Sequence, residues 1–314
     1  MTKSMTDVTA KSAVSLVSLV EQFGHDEEGC RTYLERLRWG ADGPACPKCG
    51  GTKISRLRKR HQLDCNSCRH RFSVTTGTVF HDSHLPLWKW FLATYLMTDA
   101  KKGVSANQLR RELGVSYKTA WYLCHRIRSA MDEVTPEMLS GIVEADETYV
   151  GGYRRGKGRH YMGNKTMVLG AIERGGNVRL RVERRPGSAQ VLQGFVREAV
   201  ADGAEAIYTD QNPSYKGLAD EDTRHETVDH SAEEWVRGDV STQGIESAWS
   251  LLKRSIVGSY HQLSAKHLQA YADEFAFRFN NRENPFLFRD TVLRLIEGEI
   301  LPFKELVHAT PSAT

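Results

Sequence analysis

Residues 141–150 read Gly141-Ile142-Val143-Glu144-Ala145-Asp146-Glu147-Thr148-Tyr149-Val150, a run in which β-branched and apolar residues interleave with acids. Such residues favour a pleated backbone, so the stretch is predicted to be a strand with Asp146 inside it. A second strand-like run, Ala206-Ile207-Tyr208-Thr209-Asp210, ends on an acid. Between the two come strand patterns near 166–173 and 178–184 and a helical pattern near 188–201, and helices start again near 242 and 264. Strands first and then β-α-β-α predict a mixed sheet with flanking helices, an α/β domain. Glu246 opens one of the later helices, Ile245-Glu246-Ser247-Ala248-Trp249-Ser250-Leu251-Leu252-Lys253-Arg254. The spacing of Asp146, Asp210 and Glu246 is compatible with two strands of one sheet and a helix packed on it. Among 39 acidic residues, spacing alone favours plainer roles: a strand-surface acid at Asp146 or Glu147, a turn cap at Asp210, a solvated helix acid at Glu246.

A chain of 314 residues can hold two or three domains and a substantial core. With 40% hydrophobic, 26% charged and 9% aromatic residues the composition is that of a soluble globular protein. No apolar run approaches the roughly 18 residues of a membrane span. The stretch Ala13–Val20 is short, broken by serines, and lacks the marks of a signal peptide, so the chain is expected to stay in the cytoplasm. The net charge of +4 is mild, but basic residues bunch at 56–61, at Arg154-Arg155-Gly156-Lys157-Gly158-Arg159-His160 and at Lys253-Arg254. One such cluster is usually solvated surface; three beside candidate motifs fit a track for phosphates.

The first 42 residues read as short amphipathic helices, with Leu16, Val17, Val20 and Phe23 at helical spacing and then Tyr33, Leu34 and Leu37. Residues 43–80 form a small β module carrying Cys46-Pro47-Lys48-Cys49 and Cys65-Asn66-Ser67-Cys68, a C-x₂-C-x₁₅-C-x₂-C pattern. Two such knuckles supply the closed four-thiolate shell of a structural Zn²⁺, a stronger reading for a cytosolic chain than two disulfides or four free thiols. His61 and His70 are nearby but unneeded, and Cys30 and Cys124 read as small buried hydrophobes. Residues 85–135 are helical, with a stripe of Trp88, Phe91, Leu92, Tyr95 and Leu96. A helix to Leu113, a turn at Gly114-Val115, an N-cap at Ser116 and a third helix to Met131 make a helix-turn-helix layout. Its third helix offers Tyr117, Lys118, Thr119, Arg126 and Arg128 to bases or phosphate; a plain three-helix packing unit is the alternative.

The acids suit one chemistry in particular. Two Mg²⁺ ions held by carboxylates roughly 3.5–4 Å apart activate an attacking oxygen and stabilise a leaving one in an in-line displacement at phosphorus. Mg²⁺ takes hard oxygen ligands and keeps several waters, so two Asp and one Glu are enough.

Several motifs in order resemble the ISXO-type transposases of bacterial insertion sequences. They are Val143–Gly152, Tyr208-Thr209-Asp210 with Tyr215 beyond, Ile245–Arg254, Gly258-Ser259-Tyr260-His261, Lys266-His267-Leu268, Tyr271, Glu274-Phe275 and Arg278-Phe279-Asn280-Asn281-Arg282. Arg38-Trp39 before the cysteines and Phe72–Phe80 after them resemble that family's zinc ribbon, so the likeness covers about residues 20–290. The resemblance implies a ribonuclease-H-like catalytic domain over 140–295, followed by a tail at 296–314. It implies a DDE triad of Asp146, Asp210 and Glu246 holding Mg²⁺ or Mn²⁺. Gln243 stands where members often carry Asn, its amide reaching phosphate or a metal-bound water on a longer arm, and His261 matches a position suited to placing the scissile phosphate. Arg154, Arg155, Lys157, Arg159, Lys253 and Arg254 would hold phosphates beside the acids. The implied activity is metal-dependent cleavage and strand transfer at the element's terminal inverted repeats. The implied partner is double-stranded DNA in the nucleoid, bound by a homodimer or larger assembly, with no membrane and no small-molecule substrate. A non-catalytic, transposase-derived DNA-binding repressor is the other reading.

Overall fold

A computed structural model describes residues 14–57, 60–133, 136–151, 165–184, 187–229 and 236–307, in two compact units: Met1–Met131 with Glu283–Thr314, and Asp132–Arg282. The basic run 154–160 lies outside the described residues.

In the first unit, α1 (Leu16–Phe23) starts on a reciprocal capping box between Ser15 and Ser18. Helix α2 (Glu27–Trp39) starts on Asp26, with Glu27 and Glu28 in its first turn and Arg36 and Arg38 in its last, each at the end of the helix dipole that favours it. Strands β1 (Ile54–Leu57), β2 (Gln62–Cys65) and β3 (Arg71–Phe72) form an antiparallel sheet over a small core of Cys46, Leu63, Cys65 and Phe72. Helices α3 (Leu87–Asp99), α4 (Ala106–Leu113) and α5 (Tyr117–Ser129) follow. Gly114 caps α4 in the left-handed conformation at φ 61°, and Ser116 caps α5 by accepting from the Thr119 N–H, as the sequence predicts.

The buried residues of α3 are Leu87, Trp90, Phe91, Ala93, Thr94, Met97 and Thr98, so the expected stripe is displaced round the helix. The cause is enclosure: α1, α2, α5 and the later helix Leu287–Glu297 all pack on α3. That last helix was expected to end the α/β domain; it belongs to the first unit, where Phe288 meets Tyr33 and Phe91.

The second unit is built on a five-stranded sheet of β4 (Ile142–Val150), β5 (Thr166–Glu173), β6 (Val178–Glu183), β7 (Ala206–Asp210) and β8 (Arg224–Val228), in the order β6-β5-β4-β7-β8. Strands β4, β5 and β6 pair antiparallel, whereas β4, β7 and β8 run parallel. Helix α6 (Ala189–Ala199) covers one face, packing Leu192, Phe195 and Val196 on Val143, Ala145, Leu169, Ala171 and Ile207. A short hairpin, β9 (Val236–Arg237) and β10 (Val240–Ser241), leads into α7 (Gln243–Ser255), a π-helical turn (Ile256–Tyr260) and α8 (Leu268–Asn280). These cover the other face, where Ile245, Ala248, Trp249, Leu252 and Phe275 meet Val168, Ile172 and Val178. Strand β5 reads as a continuous apolar run because helices bury both its faces.

On α8, Asp273 is partly buried and accepts from the Gln269 side chain at 2.6 Å. Burial, with the charges of Asp132 and Glu133 adding to it, pushes its carboxyl up to about 7. A carboxyl whose folded pKa exceeds its unfolded value of about 3.9 holds more protons in the folded state, so its contribution to stability is lost as pH rises from about 4 to about 7. Asp273→Asn is expected to gain stability over wild type as the buffer moves from pH 5 to pH 8 in urea titrations; a pH-independent difference would contradict this origin.

Candidate active site

Along β4 the side chains alternate: Val143 and Ala145 enter the α6 face, whereas Glu144, Asp146 and Thr148 point to the α7 face. Asp146 pairs across the sheet with Gly170 of β5. A Cβ on Gly170 would lie 2.4 Å from the Trp249 ring, so only glycine lets the indole lie against the sheet there. From that position Trp249 Nε1 donates to Asp146 Oδ2 at 2.9 Å. Burial pushes the Asp146 carboxyl up to about 7, and the charges of Glu147 and Asp210 push the same way against the Trp249 bond and a backbone N–H. A carboxylate in such surroundings gains most from a nearby dication, which reverses the cost of its charge.

Asp210 ends β7. Parallel pairing sets Ile142, Val143 and Glu144 beside Ala206, Ile207 and Tyr208; Asp210 lies two residues past the last pair, near enough for its charge to raise the Asp146 carboxyl. The Asn212 N–H donates to Asp210 Oδ1 at 3.0 Å, while the Asn212 amide donates to Glu147 Oε1 at 2.9 Å. The Tyr215 hydroxyl donates to Glu147 Oε2 at 2.6 Å, and burial beside these carboxylates raises its pKa. Glu147 therefore ties β4 to the loop that follows Asp210.

Glu246 lies in the first turn of α7 and accepts from the Thr242 hydroxyl at 3.3 Å. Asp146, Glu147, Thr148, Glu246, Trp249, Ser250, Lys253, Arg254 and Val257 line a cleft of about 660 Å³. The α7 contributors recur at helical spacing, so one stripe runs from acid to base along the cleft. Gln243 is exposed at the start of α7, and His261, at φ 61°, is exposed after the π-helical turn; neither lines the cleft.

In the first unit the Sγ atoms of Cys46, Cys49, Cys65 and Cys68 lie within 4.8 Å of one another, with Cys46–Cys68 and Cys49–Cys65 at 3.6 Å. Two thiolates on one zinc at about 2.3 Å stand about 3.8 Å apart, so the donor set fits that ion. Backbone N–H groups of Cys68 and Ser67, outweighing burial, hold the Cys65 thiol down to about 6. Cys30 and Cys124 are both buried in helices.

Two expected DNA contacts need correction. Arg126 is 3% exposed: it donates to the Val79 carbonyl and to the His81 carbonyl at 2.6 Å, and its guanidinium lies over Trp90 and Tyr122. Arg128 is 2% exposed. The second half of α5 is interior, so these arginines serve packing. Tyr117 and Lys118 in its first turn remain exposed, with the Lys118 ammonium 4.6 Å above the Phe303 ring.

Residues 138–280 match the family model for an ISXO2-like transposase domain, and residues 25–71 match that for a transposase zinc-ribbon domain. A protein of Halobacterium salinarum described as an uncharacterized protein in transposable element ISH50 is 30% identical over 274 residues, covering 80% of this chain and 90% of that protein. The chain belongs to the ISXO2-like transposase family. Among solved structures, the Mos1 strand transfer complex matches at 14% identity over 66% of this chain and 75% of that chain, with a TM-score of 0.29. The simian T-cell lymphotropic virus intasome in complex with PP2A regulatory subunit B56 gamma matches at 15% over 55% and 63%, with a TM-score of 0.28. Likeness at these scores is too slight to bear on the fold. Among the described residues, no helix is long and apolar enough to cross a membrane.

Trp249, Asn212 and Tyr215 had no assigned role in the sequence, because their part depends on neighbours distant along the chain. Gly170→Ala is expected to push the indole off the sheet and destabilise the second unit by about 1–3 kcal/mol in denaturant unfolding; an unchanged midpoint would show that the ring does not need the gap. Elemental analysis of the purified chain should give one zinc per molecule, falling below half in Cys65→Ser; full zinc in that variant would remove Cys65 from the ligand set.

Proposed function

We propose that this chain is an active DNA transposase whose second unit is a ribonuclease-H-like catalytic domain. The mixed sheet, with helices on both faces and Asp210 near enough for its charge to act on Asp146, supports that reading. The single observation that carries it is the cleft in which Asp146 and Glu246 meet Lys253 and Arg254. Carboxylates gathered in partial burial suit hard divalent cations, and the adjoining cations suit a polyanionic strand.

Asp146, Asp210 and Glu246 would hold Mg²⁺ or Mn²⁺, which supplies charge to activate the attacking oxygen and stabilise the leaving oxygen. Trp249 orients Asp146, Asn212 orients Asp210, and Thr242 orients Glu246. Lys253 and Arg254 seat phosphates next to the scissile one, and Gln243 at the start of α7 offers an amide to the same strand. Water attacks phosphorus at the element end and the bond to the 3′ oxygen breaks, leaving a 3′-hydroxyl. That hydroxyl then attacks a target phosphodiester and expels the target's 3′ oxygen. His261 and the run Arg154, Arg155, Lys157 and Arg159 would bear on flanking DNA. The zinc ribbon and the α4–α5 pair, through Tyr117 and Lys118, would recognise the terminal repeats, and pairing two ends calls for at least two copies of the chain.

The test incubates the purified chain with a labelled duplex carrying the terminal repeat that flanks its gene, in Mg²⁺, Mn²⁺ or EDTA. Metal-dependent nicks at the repeat boundary, followed by joined products, are expected; tight binding with no cleavage in any metal would contradict the reading. Asp146→Asn should lower cleavage by at least about a thousandfold while repeat binding stays within about twofold, the ratio expected when only transition-state stabilisation is lost. Parallel loss of both would argue against the role given to Asp146.

A further inference from the structure

Glu144 is 2% exposed, two residues before Asp146 on the same strand face, and the chemistry above does not use it. Its Oε2 accepts the backbone N–H of Ile245 at 3.0 Å, although Thr242, the N-cap of α7, makes no side-chain capping bond. A buried carboxylate from β4 therefore caps α7 from across the sheet, where the helix dipole favours negative charge. Gly244 makes this approach possible, since a Cβ there would lie 2.8 Å from Glu144 Oε2. The other oxygen, Oε1, accepts from Arg174 Nη2 at 3.2 Å. Arg174 also donates to the Asp239 carbonyl at 3.1 Å and the Ser241 hydroxyl at 3.2 Å, which binds the chain just before α7. Both sides of the Thr242–Gly244 entry are thus tied to the strand that carries Asp146.

We propose that Glu144 and Arg174 are positioning residues that set where α7 begins and so hold Glu246 in the cleft it shares with Asp146. The inference rests on the reading of the three acids as a divalent-metal site. Glu246 follows Ile245 directly, so a shift of the capped N–H moves the carboxylate with it. Glu144 is buried but Arg174 is exposed, and such an ion pair adds little to stability as a rule; it is better suited to holding one geometry among several.

The test uses the full zinc-loaded chain without DNA and reads Mn²⁺ binding by calorimetry, with Asp146→Asn defining the background. Glu144→Asp keeps the charge but cannot reach Ile245, Glu144→Gln keeps the reach but loses the charge, and Arg174→Lys loosens the outer tie with little risk to folding. Cooperative melting in EDTA checks each fold. Mn²⁺ affinity should fall about 10–100-fold in Glu144→Asp and by a smaller factor in Arg174→Lys, the usual loss when an outer partner of a ligand is disturbed. Wild-type affinity in a folded Glu144→Asp, or no wild-type binding above the Asp146→Asn background, would overturn the proposal. Repeat-DNA cleavage measured in parallel separates the two readings: Mn²⁺ bound by wild type without cleavage would sink the transposase activity and leave the clamp judged on affinity alone.

Discussion

The second unit depends on the indole of Trp249 lying against Gly170. The contact buries one of the largest side chains of α7 on the sheet, and it exists only because position 170 carries no Cβ. It sets the height of α7 over β4 and β5, aims an N–H at Asp146, and leaves Glu246 one turn back along the same helix facing the same cleft. The directed bond offsets part of what burial costs the charge, and burial still holds the Asp146 carboxyl well above the usual carboxylate range.

Around this contact β4 acts as a hub. Glu144 reaches α7, Asp146 reaches Trp249, and Glu147 reaches Asn212 and Tyr215 beyond β7. Three acids within four residues would repel one another on an open strand. Glu144 and Asp146 turn to α7 while the Glu147 carboxylate turns to Asn212 and Tyr215, and each finds its own donors. The parallel β4–β7 pairing then directs the carboxyl end of β7 toward Asp146, and the carboxyl ends of strands are where open α/β sheets bind ligands.

Local signals made much of this legible in the chain. The β-branched runs around Asp146 and Asp210, Gly114 and Ser116 between α4 and α5, and the two cysteine pairs each report their conformation or ligand set through neighbours in sequence. Other features depend on partners far away. Gly170 reads as a weak point in a strand until the indole is placed on it. Strand β8, Arg224-His225-Glu226-Thr227-Val228, escaped notice because an edge strand needs no apolar alternation. Arg126 and Arg128 look like free cations on a recognition helix, yet the enclosure that rotates the buried face of α3 also takes the second half of α5 inside. Leu287–Glu297 carries the amphipathic pattern of any packed helix, and that pattern does not say which core receives it.

The central claim, that Asp146, Asp210 and Glu246 form one divalent-metal centre, is tested most directly by anomalous diffraction from crystals of the chain bound to terminal-repeat DNA and grown with Mn²⁺. The account predicts manganese peaks ligated by these three carboxylates, separated by about 4 Å where two ions bind. Manganese elsewhere, or a bound ion that leaves Glu246 without a metal contact, would contradict it.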